Sequence, residues 1–266
     1  MSLTLGRGPL SAKAPAQVNY RVEGPAHRLF LEGFPRRVRA VFDGRTVIDT
    51  RRGALLHETG LLPQLYVPEE DVAMELLEPT DHHTVCPFKG EASYWSLRSG
   101  DRVVDNAVWA YREPLPEASW LRGLVAFYWT AADSWLDEDE EVRGHLRDPY
   151  HRVDVRASSR HVRVLAGETV LAETRSPKVV SETGLPNRYY IPPQDVRMDL
   201  LEPSQTESVC PYKGQAAYWS LRAEGLSLDD VAWSFPEPLE NALKAAGHLS
   251  FLHRDLRVEV DGRPSA

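Results

Sequence analysis

Residues 58–97 read ETGLLPQLYVPEEDVAMELLEPTDHHTVCPFKGEASYWSL, and residues 182–221 read ETGLPNRYYIPPQDVRMDLLEPSQTESVCPYKGQAAYWSL. The two stretches share 23 identical residues in 40 positions without a gap, at a constant offset of 124 residues. Repeats of about 20–50 residues are typical of solenoids, whereas a period of this length is that of a whole domain. The sequence therefore predicts two tandem copies of one domain.

The repeat also indicates where the domains begin and end. We expect the first domain to cover residues 30–132 and the second to cover residues 151–260. Residues 133–150 lie between them and contain the acidic run Asp137–Glu141, a pattern that is typical of a solvated linker. We also expect the two copies to pair with each other within the chain.

Short strands and frequent turns dominate the local pattern. Val38–Phe42 and Thr46–Thr50 flank the dipeptide Asp43-Gly44, which favours a tight β-hairpin. Helix signals are few: residues 238–247 begin with a proline and end with a glycine, and residues 116–123 offer a weaker version. We therefore predict a mainly β fold of two tandem antiparallel β domains, each with a short helix near its carboxyl-terminal end.

Composition excludes several classes of partner. The formal net charge of −8 argues against a general nucleic-acid-binding protein, which would present a basic face. No run approaches the roughly 18 apolar residues of a membrane-spanning helix, and the first residues lack the apolar stretch of a secretory signal. We therefore expect a cytoplasmic protein that binds neither nucleic acid nor a membrane. Its two cysteines, Cys86 and Cys210, are then expected to be reduced thiols.

The motif Cys-Pro-x-Lys-Gly occurs in both copies, at Cys86–Gly90 and at Cys210–Gly214. Proline restricts the residue before it, and glycine permits a tight turn, so cysteine and lysine are expected on one rigid loop. In a functional site, Lys89 would bind an anion or a carbonyl group and Cys86 would serve as a nucleophile or redox group. The structural alternative is a small buried cysteine and a lysine that caps the loop.

Aromatic residues form a second shared cluster. The cluster consists of Tyr94, Trp95 and Trp109, repeated as Tyr218, Trp219 and Trp233. Alternation along a strand predicts that Tyr94 and Trp95 point to opposite faces, so only one of them can line a given pocket. Aromatic rings with a polar tip suit a pocket for a planar or cationic ligand, and they equally suit a core. We assign Trp95 to the core and Trp109 to a pocket.

Two pairs of glutamates are shared as well. Glu58 and Glu182 precede Thr-Gly, and Glu78 and Glu202 precede a proline. Paired carboxylates can perform acid–base chemistry, although turn caps and surface ion pairs are the commoner role. Both interpretations remain open from the sequence.

The sequence predicts neither a metal site nor a cofactor. Zinc sites need closely spaced cysteine or histidine pairs, and each copy has one cysteine. His82 and His83 of the first copy become Thr206 and Glu207 in the second. Glycine-rich phosphate-binding loops and nucleophile elbows do not occur in the sequence either.

Several motifs resemble a known family. They are Glu-Thr-Gly-Leu-Pro at 182–186, Tyr-Tyr-Ile-Pro at 189–192, Leu-Leu-Glu-Pro-Ser at 200–204, Cys-Pro-Tyr-Lys-Gly at 210–214 and Tyr-Trp-Ser at 218–220. Their order over roughly residues 30–260 resembles the bacterial domain-of-unknown-function family 427, and residues 147–154 look like its tandem members. The resemblance implies a β-tent-like fold. The family also carries a nucleotidyltransferase-type name, although the chain lacks a Gly-Ser followed by paired aspartates for magnesium.

These observations predict a small-molecule-binding protein with one pocket per domain, for a planar or anionic ligand. The candidate ligand-binding residues are Glu58, Cys86, Lys89, Tyr94 and Trp109 in the first copy and Glu182, Cys210, Lys213, Tyr218 and Trp233 in the second. The alternative is an enzyme that acts on nucleotides or other anionic small molecules, using Lys89 or Cys86 with Glu58 or Glu78. A structural or protein-interaction module is the third class, and the sequence assigns no catalytic residue.

Overall fold

The computed structural model describes residues 23–223 and 225–265, together with Thr4, Gly8, Leu10, Ser11 and Asn19. The amino-terminal segment, in which we expect no secretory signal, lies mostly outside the described residues. The chain divides into two compact units, the first of which ends at Asp148 and the second of which begins at Pro149. Each unit is described by itself below.

Eleven strands are described in the first unit. They are β1 Leu29–Gly33, β2 Val38–Phe42, β3 Arg45–Thr50, β4 Ala54–Glu58, β5 Gln64–Pro68, β6 Leu77–Cys86, β7 Gly90–Ser99, β8 Arg102–Ala110, β9 Leu124–Phe127, β10 Ser134–Asp137 and β11 Glu140–Glu141. Seven of them form a sheet in the order β1-β4-β5-β9-β8-β7-β6, and four form a second sheet in the order β11-β10-β2-β3. All neighbours are antiparallel.

The second unit repeats this plan. Its strands are β12 Val153–Ala157, β13 Val162–Ala166, β14 Thr169–Thr174, β15 Lys178–Glu182, β16 Arg188–Tyr190, β17 Leu201–Cys210, β18 Gly214–Ala223, β19 Leu226–Ser234, β20 Ser250–Phe251, β21 Leu256–Val260 and β22 Arg263–Pro264. The sheets β12-β15-β16 and β17-β18-β19-β20, joined by a bridge between Ile191 and Leu249, correspond to the seven-stranded sheet. The sheet β14-β13-β21-β22 corresponds to the smaller one. The predicted fold of two tandem, mainly β domains is confirmed.

Strand alternation decides which side chains form the main core of each unit. On β5, Leu65 and Val67 join a cluster that also contains Phe42 of β2 and Val108 of β8, so this core lies between the two sheets. Tyr66 points to the opposite face of the larger sheet and belongs to a separate cluster. The larger sheet is therefore covered by the smaller sheet on one face, and its other face carries a second buried cluster, which includes Ala118 and Leu121 of the segment after β8.

The predicted hairpin at Asp43-Gly44 is present between β2 and β3. Asp43 has φ of 51° and Gly44 has φ of 71°. Two successive residues with positive φ are typical of the tight turn whose twist matches that of the flanking strands. Asp and Gly are among the residues that adopt this conformation most readily, which explains why the sequence signal was reliable here.

Among the residues that the structure describes, helical structure is limited to short 3-10 segments. The first unit has Pro116–Leu121, in which Ala118 departs from helical geometry with φ of −121°, and the second has Leu243–Ala245 within the stretch expected to form a helix. Segments this short are not stabilised by the cooperativity of helix formation. The backbone conformation of the two segments is therefore determined by the burial of Ala118 and Ala245 on the sheet. In the part of the chain that the structure describes, no helix has the length and apolar character needed to cross a membrane.

The acidic run after residue 133 is a β-hairpin and not a linker, which corrects the expectation for this segment. Strand β10 pairs with β2, so that Asp137 lies opposite Val38. Arg36 donates two hydrogen bonds of 2.6 Å to Asp137, and Trp135 on the same strand is buried in the main core. Arg36 and Arg39 thus form ion pairs with Asp137 and Asp139 of the run, and the hairpin belongs to the first unit.

Candidate functional site

A row of aromatic side chains crosses this second face of the larger sheet in the first unit. Tyr94 lies opposite Trp109, Trp109 lies opposite Ala126, and Ala126 lies opposite Tyr66. The indole Nε1 of Trp109 donates a hydrogen bond of 3.3 Å to the hydroxyl of Tyr66. The small side chain of Ala126 leaves room for this bond between two strands that are not neighbours. We call Tyr94, Trp109 and Tyr66 the aromatic row.

One end of the aromatic row is open to solvent. The ring of Tyr128 lies 4.8 Å from that of Trp109 and is 49% exposed. At the other side, the hydroxyl groups of Tyr94 and Thr84 are 2.9 Å apart. Trp95, by contrast, is buried in the core between the sheets, as strand alternation predicts.

The second unit contains the same row. Tyr218 lies opposite Trp233, and the indole Nε1 of Trp233 donates a hydrogen bond of 3.0 Å to the hydroxyl of Tyr190. Ser250 takes the place of the small alanine and lies opposite Trp233. The hydroxyl of Tyr218 is 2.8 Å from that of Ser208. The row is therefore a property of the domain and not of one copy.

The Cys-Pro-x-Lys-Gly motif forms the turn between β6 and β7. The backbone N–H of Lys89 donates to the carbonyl of Cys86 at 3.4 Å, and the carbonyl of Lys89 accepts from Leu115 at 3.0 Å. Gly90 has φ of 106°, and a Cβ atom there would lie 3.3 Å from the carbonyl oxygen of Glu113. Glycine is required at this position because φ is positive and because a Cβ atom would be too close to the backbone. The backbone of Lys89 is held in the turn through both its N–H and its carbonyl group.

Lys89 is directed inward by this turn and forms a buried ion pair with Glu58 at the end of β4. The second carboxylate oxygen of Glu58 is 2.8 Å from Nε2 of His27. The ring of His27 in turn stacks on Phe88 with the ring centroids 3.8 Å apart. Only 8% of Lys89 and 6% of Glu58 is exposed. We call His27, Glu58 and Lys89 the first triad.

The second triad consists of His151, Glu182 and Lys213, each 124 residues after its counterpart. Lys213 forms an ion pair with Glu182, and Nε2 of His151 lies 3.1 Å from the same carboxylate. The ring of Tyr212 packs on His151 with the centroids 4.0 Å apart. The arrangement of charges and rings is therefore repeated in full.

The surroundings of Glu182 determine its protonation. Burial alone would raise its pKa, but the hydrogen bond from His151 and the positive charge of Lys213 outweigh burial and lower the pKa to about 2. Burial raises the pKa of Tyr190 well above its ordinary value, so that phenol stays protonated. At neutral pH the second unit thus presents an ionised carboxylate beside a neutral phenol.

The triad and the aromatic row lie on the same face of the sheet. Lys89 Nζ is 5.8 Å from the centroid of the Tyr111 ring, and Tyr111 belongs to the cluster that contains the row and the half-buried Cys86. Burial raises the pKa of Tyr66, and the nearby negative charge of Glu58 adds to this shift. Among the described residues no ring contact joins Lys89 to Trp109 directly.

All five candidate residues of each copy thus lie on one face, whereas the alternative carboxylate pairs with an exposed arginine. Glu78 lies on an exposed stretch of β6, where its carboxylate is 2.8 Å from Nε of Arg98. Its equivalent, Glu202, is also exposed, 3.9 Å from Arg222. Among the described residues no ion pair or hydrogen bond joins Glu78 or Glu202 to a triad, and a catalytic role for Glu78 stays a prediction.

Sequence reasoning missed the histidine of each triad. His27 and His151 lie outside the forty-residue match, although the surrounding motif is Pro-x-His-Arg in both copies. The identity at the common offset was the available signal. In the described part of the chain, no group of three or more histidine, cysteine, aspartate or glutamate side chains is placed to hold a metal ion.

Comparison with known families identifies the domain. The model of a domain of unknown function, DUF427, matches the chain twice, over residues 30–138 and 154–262. No curated protein shows significant similarity to the chain. Because the two matches cover most of the sequence, the chain belongs to the DUF427 family as a member with two tandem copies of the domain.

Proposed function

We propose that each unit binds a small planar anion at its triad and aromatic row. The observation that supports this proposal is the repetition of one buried histidine–glutamate–lysine triad beside the same aromatic face in both units. The ring of the ligand would lie on the aromatic row and its anionic group would face the lysine.

The buried ion pair is difficult to explain by stability alone. Removing two charges from water costs free energy that their attraction often fails to recover, and apolar side chains of similar size are usually as good. Nevertheless Glu58 and Lys89 are repeated as Glu182 and Lys213, while residues of the adjacent β6, such as His82, are replaced in β17. This contrast favours a role in binding.

The geometry leaves hydrogen-bonding capacity for a ligand. A lysine ammonium has three N–H donors, and the ion pair with Glu58 uses one of them. Glu58 holds the ammonium in place, so little entropy is lost when an anion binds. The exposed ring of Tyr128 marks the side from which a ligand would enter the first site.

The two sites would differ in specificity. Tyr111 beneath Lys89 is replaced by Phe235 beneath Lys213, where the ammonium lies 5.9 Å from the ring centroid. Tyr128 is replaced by Leu252, which is 52% exposed. Tyr212 and Ser250, which replace Phe88 and Ala126, each add a hydroxyl group. The two sites would therefore present their hydroxyl groups at different positions and prefer different ligands.

An enzyme that acts on such an anion is the alternative function. The thiol of Cys86 and the ammonium of Lys89 lie on one turn, which is the observation in its favour. The low pKa of Glu182 makes that carboxylate a poor general acid or base at neutral pH. Catalysis would then depend on the lysine or the cysteine, with the glutamate in a positioning role.

Adenosine monophosphate tests the proposal, with adenosine as the same ring system without the charge. We expect the nucleotide to shift the indole N–H resonances of Trp109 and Trp233, and adenosine to have a much smaller effect. The double variant Glu58→Gln/Lys89→Met should abolish the shift at Trp109 and leave that at Trp233. A matched control, Glu78→Gln/Arg98→Met, removes an exposed ion pair and should bind as the wild type does.

Two results would contradict binding at the triads. One is the absence of any indole shift with millimolar nucleotide. The other is a Glu58→Gln/Lys89→Met variant that binds as tightly as the control. Slow conversion of the nucleotide during the titration, lost in Lys89→Met, would favour the enzyme instead.

A further inference from the structure

The second unit contains a cleft whose lining includes none of the three residues of its triad. The cleft lies between β13 and β21 of the smaller sheet and the end of the strand pair β16 and β20. Its apolar walls include Val162, Val164, Ile191, Phe251 and Val258. These residues belong to the main core of the unit or pack against it. The cleft is therefore an opening in the core itself.

Strand register shows what fills this place in the first unit. Trp135 on β10 lies opposite Ala40 on β2, and Val258 on β21 lies opposite Val164 on β13. Ala40 and Val164 are equivalent at the offset of 124 residues. Val258 therefore replaces Trp135, although these two are 123 residues apart because the second unit has one residue fewer before its last hairpin.

The turn of that last hairpin confirms the shift. Glu138 in the first unit and Asp261 in the second both have φ of 52°, and they too are 123 residues apart. The backbone N–H of Val142 donates to the carbonyl of Trp135, as Ser265 does to Val258. The alignment of Val258 with Trp135 thus follows from three independent backbone features.

The first unit packs two indole rings where the second has none. Trp129 and Trp135 stack with their centroids 4.2 Å apart, and Trp135 also contacts the edge of Phe127. His253 occupies the position equivalent to Trp129, and it lines the cleft together with Phe251. At this place the second unit therefore lacks the side-chain volume of an aromatic ring system that the first unit has.

The lining of the cleft also carries positive charge. Arg188 lines it and replaces Gln64, whose amide donates to the carbonyl of Phe127 at 3.3 Å in the first unit. The guanidinium of Arg188 has neither an ion pair nor a hydrogen bond with any residue that the structure describes. An arginine of this kind suits a carboxylate, which it can bind through two parallel hydrogen bonds.

We propose that this cleft binds a small aromatic carboxylate. The ring, of about the size of an indole, would fill the space that Trp135 occupies in the first unit, and its carboxylate would pair with Arg188. This site is separate from the triad and does not depend on the function proposed above. It would exist in the second unit because Val258 and His253 replaced two tryptophans after the duplication.

Indole-3-acetate is a suitable probe, with indole as the matched compound that lacks the carboxylate. We expect indole-3-acetate to shift the methyl resonances of Val258 and Ile191 and to bind about tenfold more tightly than indole. Arg188→Gln restores the residue of the first unit and should reduce this preference to about one. The double variant Val164→Ala/Val258→Trp restores the packing of the first unit and should abolish binding of both compounds.

The fold of each variant is checked by its melting temperature and by its amide resonances, and Arg188→Gln also tests the proposal without altering the core. The variant Glu182→Gln/Lys213→Met should leave binding of indole-3-acetate unchanged, which separates this site from the triad. The proposal is overturned if millimolar indole-3-acetate shifts neither methyl resonance. It is equally overturned if the compound binds a folded Val164→Ala/Val258→Trp variant or if Arg188→Gln keeps the preference.

Discussion

The ammonium group of Lys89 lies against the carboxylate of Glu58, which is 31 residues earlier in the chain. This ion pair joins the turn between β6 and β7 to the end of β4, two elements that three other strands separate in the sheet. Lys213 and Glu182 repeat the relationship in the second unit. A substitution of either Lys89 or Glu58 should therefore affect both the turn between β6 and β7 and the end of β4.

The first prediction concerns the energetics of the pair. Lys89→Met leaves the carboxylate of Glu58 buried without its main partner, and we expect a loss of about 3 kcal/mol in the unfolding free energy of the first unit. Glu58→Gln/Lys89→Met removes both charges and should recover most of that loss. Urea unfolding of the full chain, followed at amides of β4, measures both variants. If the single and the double variant were equally destabilised, the contribution of Lys89 to stability would come from packing and not from its charge.

The second prediction concerns the turn that carries Lys89. Gly90→Ala places a side chain at φ of 106° and against the backbone of the segment after β8, so it should destabilise the first unit by about 2 kcal/mol or more. Gly100→Ala is the control, because Gly100 has φ of 56° and open space around it. We expect about 1 kcal/mol for the control. Thermal unfolding compares the two, and a larger effect at Gly100 would contradict the role given to Gly90.

The third prediction concerns pH. The pKa of Glu182 falls from 4.5 to about 2 on folding, because His151 and Lys213 overcome the effect of burial. A carboxyl with a lowered pKa stabilises the fold fully above pH 4.5, and this stabilisation is lost as the pH falls towards 2. Between pH 4.5 and 2, the unfolding free energy of the second unit should fall by up to about 3 kcal/mol more in the wild type than in Glu182→Gln. Parallel stability curves for the two proteins would refute the assignment.

The fourth prediction concerns the acidic hairpin. Because Trp135 of β10 is buried in the main core, Trp135→Ala should destabilise the first unit by about 3–5 kcal/mol. Asp139→Ala, four residues later and exposed, should change the stability by less than about 0.5 kcal/mol. Chemical denaturation of both variants provides the measurement. A flexible linker would tolerate both substitutions equally.

Much of the fold could be predicted because its signals are local. The turn at Asp43-Gly44 depends on two residues that adopt positive φ readily, and the opposite orientations of Tyr94 and Trp95 follow from strand geometry alone. Comparison of the two copies also selected Glu58 and Lys89. Their contact was not predictable, because it depends on how β4 and β7 are arranged in the sheet.

The remaining features depend on partners far away in sequence. The acidic run was interpreted as a linker because its arginine partners, such as Arg36, precede Asp137 by 101 residues. The expected helix at residues 238–247 has suitable ends, but packing of Ala245 on the sheet outweighs that weak preference. His27 was missed because it lies outside the forty-residue match, where the short motif Pro-x-His-Arg was the only signal of its repetition.

The stacked pair of Trp129 and Trp135 gives the two units different optical properties. Two indole rings held 4.2 Å apart and nearly parallel form a coupled chromophore, which we expect to give a signal in the near-ultraviolet circular dichroism. Such signals depend on fixed tertiary packing. His253 and Val258 cannot form a coupled chromophore in the second unit. The difference between the spectra of the wild type and Trp135→Phe therefore isolates a spectroscopic label for the first unit, already present in the native protein.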